Sequence, residues 1–115
     1  MQLDLFMIVE HETIIKALTK IDQNRKGFLV VVDPNQIVVG TLTDGDIRRA
    51  FIAGHPVHAL ITECFNRSYT KIAEDEDISI SVELFKNGKI KFLPILDRQG
   101  RLTNIITRNN LQTLL

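Results

Sequence analysis

Val30-Val31-Val32-Asp33-Pro34-Asn35-Gln36-Ile37-Val38-Val39-Gly40-Thr41-Leu42-Thr43-Asp44-Gly45-Asp46-Ile47-Arg48-Arg49 is the stretch whose reading decides the fold. Phe28 to Val32 is a continuous apolar run rich in β-branched residues, the pattern of a strand buried on both faces. Asp33-Pro34-Asn35-Gln36 reads as a turn, because proline presets φ and Asp33 can cap its own backbone. Ile37 to Leu42 is the returning strand, and its Gly40 points to a close backbone approach. Thr43, Asp44 and Asp46 then stand at the start of a helix. A hydroxyl, carboxylates and free backbone N–H groups thus meet at one strand-to-helix corner. Such a corner can hold a phosphate on the helix N-terminus and a ribose on a carboxylate.

Working outward, Leu5 to Val9 is a short apolar segment. Ile14, Ile15, Leu18 and Ile21, with Ala17 between them, recur at helical spacing and predict an amphipathic helix from about Glu12 to Gln23. Asn24 to Gly27 breaks it. The helix after Thr43 should turn Ile47, Ala50 and Phe51 inward and end at Gly54 and Pro56. The chain then repeats itself. Asp97 follows Asp33, and Thr107 follows Thr43, at one common spacing of 64 positions. At that spacing Ile72 matches Ile8, Glu74 matches Glu10, Ile78 matches Ile14, and Phe92-Leu93 matches Phe28-Leu29. Ile78, Val82 and Phe85 mark the second helix-one, closed by Asn87-Gly88. Asp97-Arg98-Gln99-Gly100 is the matching turn, Leu102 to Ile106 the matching strand, and Leu111 takes the place of Ile47.

Each half is therefore β-α-β-β-α. Residues 1–56 form the first unit, and 57–115 the linker and second unit, with a short helix around Ala59 to Cys64. A half of about 50 residues is marginal for independent folding. The expected fold class is therefore α/β (α+β), with two pseudo-two-fold-related units packed through their sheets. The clefts between the copies should face the N-termini of both second helices.

Composition narrows the function. The apolar fraction of 44% and charged fraction of 24% are those of a globular protein. With 14 residues of each sign the net charge is zero, which leaves no electrostatic footprint for nucleic acid or an anionic membrane. The local basic groups, Arg48 with Arg49 and Lys86, Lys89 and Lys91, read as solvated faces. A lone cysteine, Cys64, excludes an intrachain disulfide and suits a reducing cytosol. It reads as a packing residue, with no activating base near it in sequence. Met1 to Val9 lacks a basic n-region and carries Asp4, unlike a signal peptide. No apolar run approaches the ~20 residues of a membrane helix. The expected location is the cytoplasm.

The stretch 30–49, together with Lys91-Phe92-Leu93-Pro94-Ile95-Leu96-Asp97-Arg98-Gln99-Gly100-Arg101-Leu102-Thr103-Asn104-Ile105-Ile106-Thr107-Arg108-Asn109-Asn110-Leu111, resembles the cystathionine beta-synthase (CBS) domain. Nearly the whole chain is similar to a tandem CBS pair, or Bateman module. The resemblance implies that the Gly-x-x-Thr-x-x-Asp pattern after the last strand binds an adenine nucleotide. Thr43 would contact phosphate and Asp46 the ribose hydroxyls, with Gly40 giving room. Ile8, Val9 and Ile72 would lie near the adenine ring, although apolar residues at such places are more often simply core. The second half departs from the pattern, since Gly40 becomes Asn104 and Asp46 becomes Asn110, while Thr107 is kept. Asn110 can still bond a ribose without charge assistance, which roughly halves each bond. Arg108 in place of Asp44 could favour a phosphate. One competent site and a second, weak or empty one are expected. The string Thr-Asp-Gly-Asp-Ile-Arg-Arg is similar to CBS pairs attached to arabinose-5-phosphate isomerases and to a group of sugar-nucleotide nucleotidyltransferases. In the latter the pair is N-terminal, the arrangement that fits better if Met1 is the native start.

Each of these residues also has a plain structural reading. Thr43 is a helix N-cap, and Asp44 and Asp46 are first-turn carboxylates worth up to ~1 kcal/mol each against the helix dipole. Two carboxylates beside a phosphate can also hold Mg²⁺. Arg48 and Arg49 lie about 100° apart on a helix, so only one can reach a phosphate in the cleft while the other faces solvent or a partner. Lys89 and Lys91 read as a solvated edge or as phosphate contacts in the second site. His11, His55 and His58 lack metal-ligand spacing. No nucleophile–base pattern or phosphate-binding Gly-Lys loop occurs. The reading is a regulatory module, not an enzyme, with no required cofactor. It senses AMP, ADP, ATP or a sugar nucleotide, associates as a homodimer, and controls an attached nucleotidyltransferase catalytic domain. The alternative is a structural dimerisation module that binds no ligand.

Overall fold

In the computed structural model, residues 2–88 and 90–114 are described; the expected Lys89 contact therefore lies outside the described residues. The chain divides between Tyr69 and Thr70 into two compact α/β units. The first unit runs β1 (Met7–Val9), α1 (Ile14–Asn24), β2 (Phe28–Val32), β3 (Val38–Thr43), α2 (Asp44–Ile52). The second runs β4 (Ile72–Ala73), α3 (Ser79–Lys86), β5 (Phe92–Leu96), β6 (Leu102–Thr107), α4 (Arg108–Leu114). Both sheets have the order first-second-third, with a parallel first pair and an antiparallel hairpin.

The repeat extends to the register. Phe28 faces Thr43 and Phe92 faces Thr107, and a bulge falls at Val31/Val32 and again at Ile95/Leu96. Asp33 Oδ1 accepts the N–H groups of Asn35 and Ile37 at 2.8 and 3.0 Å, and Asp97 Oδ1 those of Gln99 and Arg101, both at 2.9 Å. All five residues of β2 are buried, as a central strand with both faces covered requires. Pro94 has no N–H for a ladder. The first parallel pairing of β4 is Ile72 with Ile95, one position later than the Met7–Val30 pair of the first unit.

Several expectations change. Leu3–Phe6 is a 3-10 turn, so the first strand is shorter than Leu5 to Val9. The helix expected at Ala59 to Cys64 is a single 3-10 turn, Ile61–Glu63. Phe51 is exposed, because the buried stripe of α2 runs through Ile47 and Ala50. Ile78 is also exposed, whereas its counterpart Ile14 is fully buried. Ile14 is covered by the segment after α2, whose Ala59 carbonyl takes the Ile14 N–H at 2.9 Å.

That segment belongs to the first unit rather than the second. It accepts from Ile14 and Ile15 N–H through Ala59 and Val57, donates Ile61 N–H to the Glu12 carbonyl, and pairs Asn66 with Thr41. Ile61 and Phe65 enter the core beside Ile14, Leu42 and Ile47. Burying two such side chains is worth about 1.5–3 kcal/mol each. The segment is a fastened strap along the edge of β3. The second unit has a smaller core built on Ile72, Phe85, Leu93, Ile106 and Leu111.

Candidate functional site

The corner between β3 and α2 is ordered by its own side chains. Thr43, in extended conformation, is the N-cap. Its Oγ accepts the Asp46 N–H at 3.2 Å, and Asp46 Oδ2 accepts the Thr43 N–H at 2.9 Å. This reciprocal capping box satisfies two of the donors that a helix start leaves unpaired. The Asp44 N–H donates to the Gly27 carbonyl at 3.1 Å. Gly45 N–H is then the donor of the first turn that remains for a ligand among the described residues.

Asp46 is also held from the other side. Its Oδ1 accepts from Arg49 Nη2 at 2.8 Å, with the Asp46 side chain 16% exposed and that of Arg49 63%. An ionised carboxylate offers about four acceptor positions. Two are taken within the chain, and among the described residues two remain without a partner, the number a ribose cis-diol would use. Thr43 Oγ uses an acceptor position in the cap and keeps its proton for donation. Asp44 goes elsewhere, its Oδ2 lying against Gly27. The two acids thus serve different partners, and among the described residues no group of three or more His, Cys, Asp or Glu side chains stands together to hold a metal. His11 and His58 are exposed, and His55 is half-buried.

Gly40 does not leave room for a ligand. A Cβ there would lie 2.5 Å from both the Asn66 carbonyl oxygen and Phe65 Cδ1. Its missing side chain admits the strap. Ile8 and Val9 are not brought to Thr43 either. Ile8 is level with Val31 and Gly40, while Thr43 is level with Phe28 at the other end of β2. With ~3.3 Å per residue and ~4.8 Å per strand, that separation is about 14 Å. Ile8 is buried in the core, and Val9 borders a groove of about 260 Å³ with Lys16 and Lys20. Lys20 Nζ bonds the Met7 carbonyl and so covers the free edge of β1. Arg48 is exposed and contributes to neither the capping box nor the ion pair.

Two partners of Asp46 were not foreseen individually. Arg49 is one, and the Asp-x-x-Arg spacing on a helix was its signal. The other is Cys64 of the strap. Burial, then the charges of Asp46 and Glu63, push its thiol pKa up.

The copy is weaker at each point. Asn110 N–H reaches Thr107 Oγ at 3.4 Å, and its side-chain amide donates to the Ile105 carbonyl at 3.4 Å instead of accepting from the cap. Ile72 is buried, and Arg108 and Lys91 are exposed.

Two β-α-β-β-α repeats, each ending in a Thr-capped strand-to-helix corner, define a paired module with one fully built corner. The chain belongs to the CBS domain family: the CBS-domain family model matches residues 1–53 and again 61–115. Arabinose 5-phosphate isomerase GutQ of Escherichia coli K12 is 28% identical over 94 residues, covering 82% of this chain and 29% of that protein. The chain spans between 29% and 65% of the length of the curated relatives it matches first. Among solved structures, CBSX2 in complex with AMP is similar at a TM-score of 0.82 and 19% identity, with 98% of this chain and 88% of that one covered. The cytosolic domain of the Mg²⁺ channel MgtE in complex with ATP is similar at 0.78 and 20% identity, covering 95% and 44%. Among the described residues no helix is long and apolar enough to cross a membrane.

Proposed function

We propose that this CBS pair is a regulatory module that binds one adenine nucleotide or sugar nucleotide at Thr43 and Asp46. The observation that carries the reading is the half-used carboxylate of Asp46, fixed in a capping box with two acceptor positions open beside the Thr43 hydroxyl. Thr43 donates to a phosphate oxygen, and Asp46 accepts the ribose hydroxyls. Thr107 and Asn110 form a weak or empty counterpart, since Asn110 carries no charge and spends its amide on Ile105. The AMP and ATP held by CBSX2 and by MgtE support a nucleotide as the ligand class. The likeness to GutQ supports control of a sugar-phosphate enzyme borne on the same longer polypeptide. A sugar-nucleotide nucleotidyltransferase is the other enzyme that the Thr-Asp-Gly-Asp-Ile-Arg-Arg string favours. A ligand can act on such an enzyme only through different affinities for two arrangements of the module.

Calorimetric titration with AMP, ADP, ATP and sugar nucleotides tests the reading. One site per chain is expected. Two equal sites, or none, would sink it. A second reading, a ligand-free dimerisation module, is favoured by exposed apolar side chains at Ile15, Phe51, Ile52, Val57 and Leu60. Sedimentation that finds a dimer, with no nucleotide raising the melting temperature, would select it.

A further inference from the structure

We propose that Arg49, rather than Arg48, takes the phosphate of the ligand and makes the site selective for ribonucleoside 5′-phosphates over nucleosides. The inference rests on the Thr43–Asp46 reading above and assigns that site its chemical selectivity.

Arg49 lies near the end of α2, yet its guanidinium folds back onto the first turn. Nη2 pairs with Asp46 Oδ1 at 2.8 Å, and Nη1 and Nη2 would lie 3.2 and 3.3 Å from a Cβ at position 45. Gly45 is therefore the seat on which the planar group rests; any side chain there would press on it. A cation at the N-terminal end of a helix opposes the dipole, which favours cations at the other end. Asp46 holds it there. An arriving phosphate would meet a guanidinium only weakly paired and free to turn to it, with a flat fork that suits phosphate oxygens. The two acceptor positions that Asp46 keeps beside the Arg49 pair serve the ribose, so Arg49 gives a nucleotide a contact that a bare nucleoside cannot use.

Arg48 cannot do this, because it projects about 100° away around the helix. The second half supplies an independent observation. At the common spacing Gly45, Asp46 and Arg49 become Asn109, Asn110 and Thr113, so seat, acceptor and donor are all replaced together.

The test titrates the four ribonucleoside 5′-monophosphates and their parent nucleosides into the wild-type chain and into Arg49→Gln, Arg49→Lys, Gly45→Ala and Arg48→Gln by calorimetry. Circular dichroism checks that each variant is folded. In wild type the best nucleotide should bind well ahead of its nucleoside. Arg49→Gln should weaken the nucleotide about ten- to a hundredfold, as lost charge-assisted bonds do, and leave the nucleoside unchanged. Gly45→Ala should shift the ratio the same way with the charge intact, and Arg49→Lys should retain part of it. Arg48→Gln should leave the ratio alone. Equal loss of nucleotide and nucleoside in Arg49→Gln would overturn the proposal while sparing the site, since Arg49 would then only orient Asp46. Collapse of the ratio in Arg48→Gln would overturn it too. No binding of any probe by wild type would remove the site reading and this inference together.

Discussion

Replacing Asp46 separates its work in the fold from the ligand contact proposed for it. The carboxylate makes two bonds in the first turn, to Thr43 N–H at 2.9 Å and to Arg49 at 2.8 Å. Asp46→Ala loses both. The lost half of the capping box costs about 1 kcal/mol. The ion pair adds at most ~0.5 kcal/mol, because Arg49 is largely in water. The melting temperature should fall by about 5 °C. Asp46→Asn keeps an oxygen for the Thr43 N–H and loses the charge, so its fall should be about 2 °C. Binding should follow a different scale. Two hydroxyls on a carboxylate make charge-assisted bonds about twice as strong as those to an amide. Asp46→Asn should therefore weaken a ribonucleotide by roughly tenfold, and Asp46→Ala by about a hundredfold. Calorimetry with the best-bound nucleotide and thermal unfolding by circular dichroism read the two effects. A 2′-deoxynucleotide should be as weak on wild type as the ribonucleotide is on Asp46→Asn. If Asp46→Asn binds with wild-type affinity while Asp46→Ala melts early, the carboxylate is a helix cap and nothing more.

Each half of the chain carries a remedy for a local fault in the other. Gln36 sits at φ +68°, and its counterpart is Gly100 at φ +86°. Gln36→Gly should raise the unfolding free energy by about 0.5–1 kcal/mol in urea titration, because the left-handed conformation costs a side-chain-bearing residue 1–2 kcal/mol and glycine's extra chain entropy returns part of it. Ser81 is fully buried with no hydrogen-bond partner for its hydroxyl among the described residues, and at its place the first unit has Ala17. Ser81→Ala should stabilise by about 1 kcal/mol, and a loss of stability would mean that the hydroxyl is satisfied. Cys64 supplies a reporter on the site. Asp46 is one cause of its raised thiol pKa, so Asp46→Asn must lower that pKa and enlarge the thiolate fraction. Alkylation by iodoacetamide at pH 8 should then be faster in Asp46→Asn than in wild type, and equal rates would refute the proximity of the two groups.

Much of this architecture was legible because it is written locally and written twice. The alternation of apolar runs and turn residues specified β-α-β-β-α in each half. The common spacing of Asp33 with Asp97 and of Thr43 with Thr107 carried down to the same register, bulge and carboxylate-capped turn. The capping role of Thr43 was legible for the same reason, since Thr-x-x-Asp is a short-range signal. Features that depend on a partner distant in sequence were not. Ile14 and Ile78 match at the common spacing, but Ile14 opens α1 whereas Ile78 is the residue before α3, and the strap that covers Ile14 lies more than forty residues further on. Periodicity assigns a residue to a face of a helix. It does not say what covers that face.

Gly40 shows why a motif glycine needs its neighbours before it is given a function. Its place ahead of Thr43 makes it a candidate for ligand clearance, and on that reading its change to Asn104 weakens the second site. The backbone of Asn66 and the ring of Phe65 already occupy the space a side chain would need. Phe65 is fixed in turn by the core and by Arg67, whose guanidinium lies 4.1 Å from the ring centroid. Gly40 therefore fastens the strap, and the strap carries Cys64 to the neighbourhood of Asp46. Any side chain at position 40 must move the strap first, so its effect on binding would be indirect. Asn104, at the matching place in the second half, is exposed among the described residues. The replacements that separate the two corners lie five to nine residues further on, at Gly45, Asp46 and Arg49, while Thr43 is kept as Thr107.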